Sequence, residues 1–255
     1  MTVAVTPLIG GMLILMRLVG LMLTAPMFSM ETIPLTIRGT LALAISVLVA
    51  STLQTPVQIP AGLFALTVYG LMEFLLGVAM GLVVAMFTNG ARSAGELIEM
   101  QIGLGFASFI DPTSGEQAAA ISRLLNLTVL LLILSFNGHH ILLKGLSLSL
   151  DQLPPGEAFR SLPRAMLTIP AAGATVFVTA ILVAAPAWTL DFLLKVGMAL
   201  LSRAAPQLNV FAIGFIITIM VGIVVLALSL PGMGEFIRHG YEKAAEQALS
   251  LCMRS

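Results

Sequence analysis

Long runs without any charged residue constrain this chain more than any other feature. Three of them could each cross a membrane: 124–143 has 20 residues, 165–190 has 26 and 204–234 has 31. About 20 apolar residues in a helix span a hydrocarbon core roughly 30 Å thick. Hydrophobic residues make up 58% of the chain and charged residues 9%, against about 25% charged in soluble domains. We therefore expect a protein of the integral-membrane type, with one membrane domain over 1–255.

The apolar runs lack the alternation of strands, and their lengths predict helices throughout, which gives an all-α fold. Prolines near the ends of the runs predict kinked helices and helix boundaries, as in a set of kinked helical hairpins. The segment 235–251 has one apolar and one charged face, which predicts a short separate amphipathic helix. The expected apolar elements are 8–28, 37–53, 61–87, 124–143, 165–190 and 204–234, with polar connections at 88–123 and 144–164.

Composition excludes several classes of function. The formal net charge is zero and no basic stripe is present, which argues against nucleic acid as a partner. The lone Cys252 excludes an internal disulfide and a multi-cysteine metal site. His139 and His140 are adjacent and lack the glutamate of a zincin motif, so they would share a metal poorly. Because no catalytic motif is found either, we expect neither an enzyme nor a metal or cofactor.

The first apolar run predicts a retained helix rather than a cleaved signal peptide. No Lys or Arg precedes the run, and Arg17 falls inside it. A charge within a membrane span needs a partner or water, and the sequence alone does not say whether the partner of Arg17 is Glu73.

The helix around Glu73 carries small residues at every fourth position. Gly77, Gly81 and Ala85 follow Glu73 on the same helical face. Small residues at this spacing allow another helix to approach closely, so the face predicts a helix contact. We expect Gly77 and Gly81 to be the positions of closest packing, with the Glu73 carboxylate beside them.

Further polar residues interrupt the apolar second half. Asp191 and Lys195 are four residues apart with the acid first, which predicts a helical ion pair. Arg203 and Asn209 flank Pro206, a pattern typical of an interhelical turn or of the broken helices of transporters. We expect a set of polar residues at helix interfaces: Arg17, Glu73, Asp191, Lys195, Arg203 and Asn209. The alternative is a secondary transporter or ion channel with Glu73, Asp191 and Lys195 on its pathway.

The segment 103–115 is the most unusual stretch. Glycines, phenylalanines and a polar turn follow one another there, and irregular backbone at membrane depth must be packed in protein or line a water-filled space. Gly103 and Gly105 permit a bend, and the Asp111-Pro112 pair disfavours helix at the aspartate. Thr113-x-x-Glu116 or Ser114-x-x-Gln117 has the spacing of a capping box that would start the next helix. The segment is an interhelical turn or a loop of apolar residues that closes a pore.

Four motifs stand out along this chain. The first is Glu96-x-x-Glu99-x-Gln101-Ile-Gly-Leu-Gly-Phe-Ala-Ser-x-x-Asp-Pro112. The others are Arg-Leu-Val-Gly … Ala-Pro-Met-Phe … Ile-Pro at 17–34, Leu-Ser-Phe-Asn-Gly-His-His at 134–140 and Arg-Ala-Ala-Pro-Gln-Leu-Asn-Val-Phe-Ala-Ile-Gly at 203–214. Together they resemble the motifs of the FliR family of flagellar export-gate subunits, which has relatives in virulence type III secretion systems. The resemblance covers nearly the whole chain, and the wording of the first motif favours the flagellar branch.

The resemblance implies a non-enzymatic, all-helical subunit of a helical hetero-oligomeric export gate, in the bacterial inner membrane at the flagellar basal body. Its implied partners are the gate subunits FliP and FliQ, then FlhB and FlhA, the exported unfolded proteins and the lipid membrane. About 1–150 would be a FliP-like part, and about 151–255 a FliQ-like part that includes the amphipathic C-terminal helix.

The resemblance also implies a role for the segment 103–115 as a plug in the channel of the gate. The hydrophobic side chains would seal the channel and the glycines would act as hinges. The implied plug residues are Gly103, Gly105, Phe106, Phe109, Ile110, Asp111 and Pro112.

Overall fold

The computed structural model describes residues 2–29, 33–52, 62–104, 120–205, 207 and 210–253, with backbone alone for 2–7, 52 and 210–212. Every regular element in these ranges is helical, which confirms the all-α prediction. A single 3-10 turn among these ranges spans Ala158–Ser161. The α-helices are α1 (Thr2–Thr24), α2 (Leu35–Thr52), α3 (Leu63–Ile102), α4 (Ala120–Ser135), α5 (Gly138–Gln152), α6 (Leu162–Ala204) and α7 (Val210–Ser250).

Helix α3 continues well beyond the apolar run that predicts it. The prediction of a polar connection at 88–123 is wrong for 88–102, which forms the last four turns of α3. The physical reason is amphipathicity: four apolar side chains, three or four residues apart, are buried on one face, while Glu96 is exposed on another. These buried residues are Ala91, Ala94, Ile98 and Ile102.

The predicted 20-residue element 124–143 is two helices rather than one. α4 and α5 meet at an angle of 66°, and Asn137 between them has a left-handed conformation with φ of 58°. Asparagine is one of the few residues besides glycine that adopts this conformation readily. The polar connection predicted at 144–164 is also wrong in its first part, because α5 continues to Gln152.

The last two α-helices are longer than the proline positions predict. α6 runs through Pro170 and Pro186, and α7 runs through Pro231. The separate amphipathic helix predicted at 235–251 is therefore the C-terminal part of α7. Its apolar face is buried as expected, with Ile237 and Tyr241 fully covered. Burial on both sides of Pro231 supports a continuous helix where local propensity alone predicts a break.

The chain divides into two compact units. Unit 1 comprises Met1–Phe87, Ile133–Ala174 and Gly240–Ser255, and unit 2 comprises Thr88–Leu132 and Thr175–His239. Both units combine stretches that are distant in sequence. The division into FliP-like and FliQ-like parts near residue 150 stays a prediction.

Three helical stretches among the described residues are long and apolar enough to cross a membrane: Leu63–Ile102, Ala158–Ala204 and Ile213–Ser250. The bent α4–α5 pair would add a fourth if it forms a single span. Large apolar side chains are exposed on α6 and α7, among them Phe177 at 72% and Leu228 at 76%. Surfaces of this kind are covered by lipid or by other helices, as expected for a membrane protein.

Candidate functional site

A buried ion pair lies in unit 1 between α1 and α3. Arg17 Nε donates to Glu73 Oε2 at 2.6 Å, and both side chains are completely buried. A charge that is removed from water must be paired and hydrogen-bonded, and each of these residues satisfies the other. The structure thus brings together two of the polar residues singled out in the sequence, 56 positions apart.

Three further hydrogen bonds extend this pair into a cluster. Arg17 Nη1 donates to Ser149 Oγ at 3.1 Å, and Nη2 donates to the Leu153 carbonyl oxygen at 3.0 Å. The Gly156 amide donates to Glu73 Oε1 at 2.8 Å. The guanidinium fork therefore joins α1, α3, α5 and the turn after α5. We call Arg17, Glu73, Ser149, Leu153 and Gly156 the Arg17 cluster.

The Arg17 cluster has the properties of a structural centre. Both carboxylate oxygens of Glu73 accept hydrogen bonds from the chain, and every part of the Arg17 guanidinium fork donates to a partner. A pathway residue of a transporter needs access to water or to a solute, whereas Glu73 is fully covered. The geometry therefore favours helix packing over the transporter alternative at this position.

Helices α1 and α3 approach each other closely beside the ion pair. A Cβ atom at Gly77 would overlap the Arg17 carbonyl oxygen and lie 2.9 Å from the Leu21 nitrogen. A Cβ atom at Gly81 would overlap Thr24 Oγ1 and lie 2.8 Å from the Leu21 carbonyl oxygen. The glycines thus let two helix backbones come together where the carboxylate of Glu73 meets its cation.

A second polar group lies in unit 2 around Asp191 of α6. Lys195 Nζ lies 2.7 Å from Asp191 Oδ2, and Gln101 Nε2 of α3 donates to the same oxygen at 2.6 Å. Asp191 is buried, and its Oδ1 atom has no hydrogen-bond partner among the described residues. Lys195 Nζ also donates to the Gln101 carbonyl oxygen at 3.3 Å. The ion pair between Asp191 and Lys195 thus also holds the end of α3.

The segment 103–115 begins directly after α3. Gly103 has a φ of +88°, a conformation that favours glycine and commonly ends a helix. A Cβ atom there would lie 2.8 Å from Cε2 of Phe215 in α7. The backbone conformation therefore favours glycine at this position, and a Cβ atom would in addition have to displace the Phe215 ring. The other residues expected to form a plug lie outside the described residues: Gly105, Phe106, Phe109, Ile110, Asp111 and Pro112.

The remaining sequence candidates are scattered. Arg203 is exposed in the last turn of α6, and Asn209 lies outside the described residues. The rings of His139 and His140 are 4.2 Å apart, and the buried Nδ1 of His139 has no hydrogen-bond partner in the described part of the chain. Within the ranges that the structure describes, no group of three or more His, Cys, Asp or Glu could hold a metal ion.

Glu99 makes two hydrogen bonds in unit 2 that its position in the sequence does not predict. Its Oε1 atom accepts from the amides of Ile121 and Ser122, with the Ser122 nitrogen at 3.2 Å. These amides belong to the first turn of α4, where helical N–H groups have no partner within the helix. Glu99 of α3 therefore caps α4 from a distance. The capping boxes predicted at 113–117 lie outside the described residues.

The fold and the two polar groups first define the class of protein: an all-helical protein of the membrane type, with a buried ion pair between α1 and α3 and a partly exposed ion pair within α6. Residues 8–244 match the model of the family described as "Bacterial export proteins, family 1". Curated relatives named flagellar biosynthetic protein FliR support the match. The relative from Pectobacterium carotovorum is 36% identical over 88% of this chain and 85% of its own length.

Two further relatives with the same name come from other bacteria. The Escherichia coli K12 protein is 34% identical over 88% of this chain and 85% of its own length. The Aquifex aeolicus protein is 33% identical over 84% of this chain and 83% of its own length. The chain belongs to the FliR family of flagellar export proteins, which confirms the resemblance seen in its motifs.

Proposed function

We propose that this chain is a subunit of the flagellar type III protein export gate, and that it forms, with FliP- and FliQ-type subunits, the channel for unfolded flagellar proteins. Its place would be the bacterial inner membrane at the basal body, beside FlhB and FlhA. The observation that carries the proposal is the family match over residues 8–244, which includes both compact units. Membership of an export family implies a role in transport rather than in catalysis.

The exposed apolar surface of unit 2 supports an assembly with other helices. Large side chains point outward on α6 at Phe177, Leu182 and Phe192, and on α7 at Ile216 and Met220. A subunit of a helical ring needs apolar faces of this kind for its neighbours. Lipid alone could cover them as well, so the assembly must be tested directly.

The test of assembly is purification from the native host through an affinity tag on this chain. We expect FliP- and FliQ-type subunits to be recovered with it in fixed proportion, and the chain expressed alone to be degraded. A second tagged membrane protein of similar abundance serves as the control for detergent carry-over. Recovery of this chain as a stable, isolated species that binds a small solute would contradict the proposal and favour the transporter alternative.

We further propose that the segment 103–115 is the plug of this gate. Support comes from its hydrophobic residues in the sequence and from Gly103, whose positive φ turns the chain away from the axis of α3. Phe106, Phe109 and Ile110 would seal the channel against water and ions. Opening would then require the displacement of a short segment, an event that needs little unfolding.

The test of the plug is ion leakage in resting cells. Deleting 106–110 should raise the conductance of the membrane to small ions, because the seal is removed. The matched control is a deletion of the same length in the gene of a membrane protein that is unrelated to export. Unchanged conductance together with normal motility in the deletion strain would show that the segment is not a plug.

A further inference from the structure

The end of α3 in unit 2 is held by a side chain from another helix. The last carbonyl groups of any helix lack partners within that helix and carry partial negative charge. Lys195 of α6 places its ammonium group 3.3 Å from one of them, the carbonyl oxygen of Gln101. A lysine at this position both donates a hydrogen bond and complements the helix dipole.

Asp191 fixes the position of that lysine. Its Oδ2 atom lies 2.7 Å from Lys195 Nζ and accepts from Gln101 Nε2 at 2.6 Å. The side chain and the main chain of Gln101 are thus bound to the same ion pair on α6. Because Asp191 is 3% exposed, water competes little for its Oδ2 atom, and its hydrogen bonds to charged and amide donors are strengthened.

Helix α7 contacts the same end of α3 from a different direction. The ring of Phe215 lies against Gly103, and the side chain of Ile102 lies against Gly222. A Cβ atom at either glycine would meet the neighbouring side chain at less than 3 Å. Glycine on one side of each contact allows the other side to approach closely. The last residues of α3 are therefore held by polar contacts from α6 and by apolar contacts from α7.

We propose that Asp191, Lys195 and Phe215 form a clasp that positions the start of the segment 103–115 in the closed gate. This proposal rests on the proposed plug, and it assigns to these three residues a task that the family match does not. Gln101 and Gly103 are the residues that the clasp holds. Lys195 and Asp191 are positioning residues: they act on the segment through the end of α3.

The strength of the clasp comes mainly from hydrogen bonds to charged groups. At the buried Asp191 carboxylate, bonds of this kind contribute more than neutral ones and are worth a factor of about ten or more in a local equilibrium. The Lys195 side chain is half exposed, so water screens its bond to Gln101 and the contribution of that bond is smaller. Removing the charge of Lys195 or of Asp191 should therefore free the end of α3 without unfolding α3, which remains packed through Ala94 and Ile98.

The experiment measures how fast a maleimide alkylates a single cysteine in native membranes that contain the sibling subunits. The cysteine is introduced as Leu104→Cys in a Cys252→Ala background. Leu104 directly follows Gly103 and is half-buried. We expect Asp191→Asn to raise the rate about tenfold or more. Lys195→Met should raise it about three- to fivefold, because the Lys195 side chain is half exposed. Lys243→Met is the matched control, since Lys243 is an exposed lysine on α7.

A conservative variant separates positioning from a general loss of folding. Lys195→Arg keeps the cation and should return the alkylation rate to within about twofold of the starting protein. Amounts of each variant in the membrane report on folding. If Lys195→Met or Asp191→Asn is lost from the membrane, Gly103→Ala, which requires strain at a positive φ, provides a second way to displace the same residues.

The outcomes separate the clasp from the plug. Faster alkylation in the charge-removing variants, with rescue by Lys195→Arg, supports the clasp whether or not conductance changes. If the charge-removing variants are alkylated faster but deletion of 106–110 causes no ion leak, the clasp is supported and the plug is overturned. If the folded Lys195→Met and Asp191→Asn proteins are alkylated at the same rate as Lys243→Met, the clasp is overturned. This holds whatever the deletion of 106–110 does to conductance.

Discussion

At the scale of single residues, Arg17 connects α1 to α3, to α5 and to the turn after α5. It contacts Glu73, Ser149 and Leu153 through all three nitrogens of its guanidinium group. Arginine suits this position because its planar fork offers donors in several fixed directions, whereas lysine offers a single flexible point of charge. The energetic consequence is asymmetric, because removing one partner leaves the other charge buried and unpaired.

Replacing Arg17 by methionine should destabilise the protein strongly. Glu73 would then be a buried carboxylate without a counter-charge, and breaking a buried pair in this way costs about 3–5 kcal/mol. The measurement is the thermal midpoint of the purified protein and the amount of the chain in membranes. The double variant Arg17→Met with Glu73→Met should recover part of the loss. An unchanged midpoint in the single variant would show that the pair contributes little.

Cys252 is a second buried residue with a testable property. Burial raises the pKa of its thiol above the ordinary value of about 8.5, and the cation of Arg17 lowers it only in part. Its sulfur lies 3.9 Å from that of Met80. Since the thiolate is the reactive form, the folded protein should react slowly with maleimides near neutral pH.

The pH dependence of this reaction follows from the direction of the shift. A raised pKa in the folded state means that the neutral thiol is favoured there, so its contribution to stability is complete below the ordinary pKa and is lost as pH rises through the folded pKa. Labelling at pH 8 should be much slower in native membranes than after denaturation. A cysteine introduced at the exposed Lys243, in a Cys252→Ala background, is the control. Equal rates for native and denatured Cys252 would refute the burial.

At the scale of helices, the contact between α1 and α3 depends on the absence of side chains. Gly20 of α1 meets the backbone of α3 near Phe74 and Val78, while Gly77 and Gly81 of α3 meet the backbone of α1. Thr24 adds a hydrogen bond from its hydroxyl to the Val78 carbonyl oxygen at 3.2 Å. The hydrophobic effect contributes little between helices in lipid. Van der Waals contact at this close approach therefore stabilises the helix pair.

Gly77→Ala should therefore destabilise the chain although alanine is the better helix former. The added methyl group has no space beside Arg17 and Leu21, and such overpacking costs about 1–3 kcal/mol. Gly145→Ala in α5 is the matched control, because no atom lies within 4 Å of its added Cβ. That control should be neutral or slightly stabilising. Equal thermal midpoints for both variants would mean that the helices do not meet at Gly77.

The helices also show how far the sequence alone could predict this structure. Charge-free runs predict helices correctly because apolar length and helical period are local properties of a chain. The end of α3 and the continuity of α7 through Pro231 depend on burial by distant residues, which no local pattern records. For this reason the predicted connection at 88–102 and the predicted helix break near 231 are both wrong.

The candidate sites show the same limit. The interval of four residues that repeats from Glu73 to Gly81 predicts a helix contact face. The interval of four residues between Asp191 and Lys195 predicts an ion pair. A single sequence does not show that Arg17 contacts Glu73. Nor does it show that Arg17 also contacts Ser149, which is 132 positions away in the chain. Gln101 next to Asp191 is likewise a product of tertiary packing, with 90 positions between them.

At the scale of the whole molecule, the exposed apolar surface supports assembly alongside the family match. The apolar windows of α6 and α7 are only 22% and 28% buried within the chain, whereas that of α3 is 56% buried. α3 thus contributes to the interior, while much of α6 and α7 requires a cover. In the proposed gate, subunits supply this cover and leave the segment 103–115 to face the channel.

The most direct test of this account is site-specific cross-linking to a protein caught during export. A photoreactive amino acid is placed at Phe106, Phe109 or Ile110, and an exported flagellar protein is stalled by a tightly folded domain at its C-terminus. If the segment 103–115 faces the channel, this chain is cross-linked to the stalled protein, and no cross-link forms when the same fusion lacks its export signal. Stalled protein that co-purifies with the gate but forms no cross-link at any of the three positions would contradict this account.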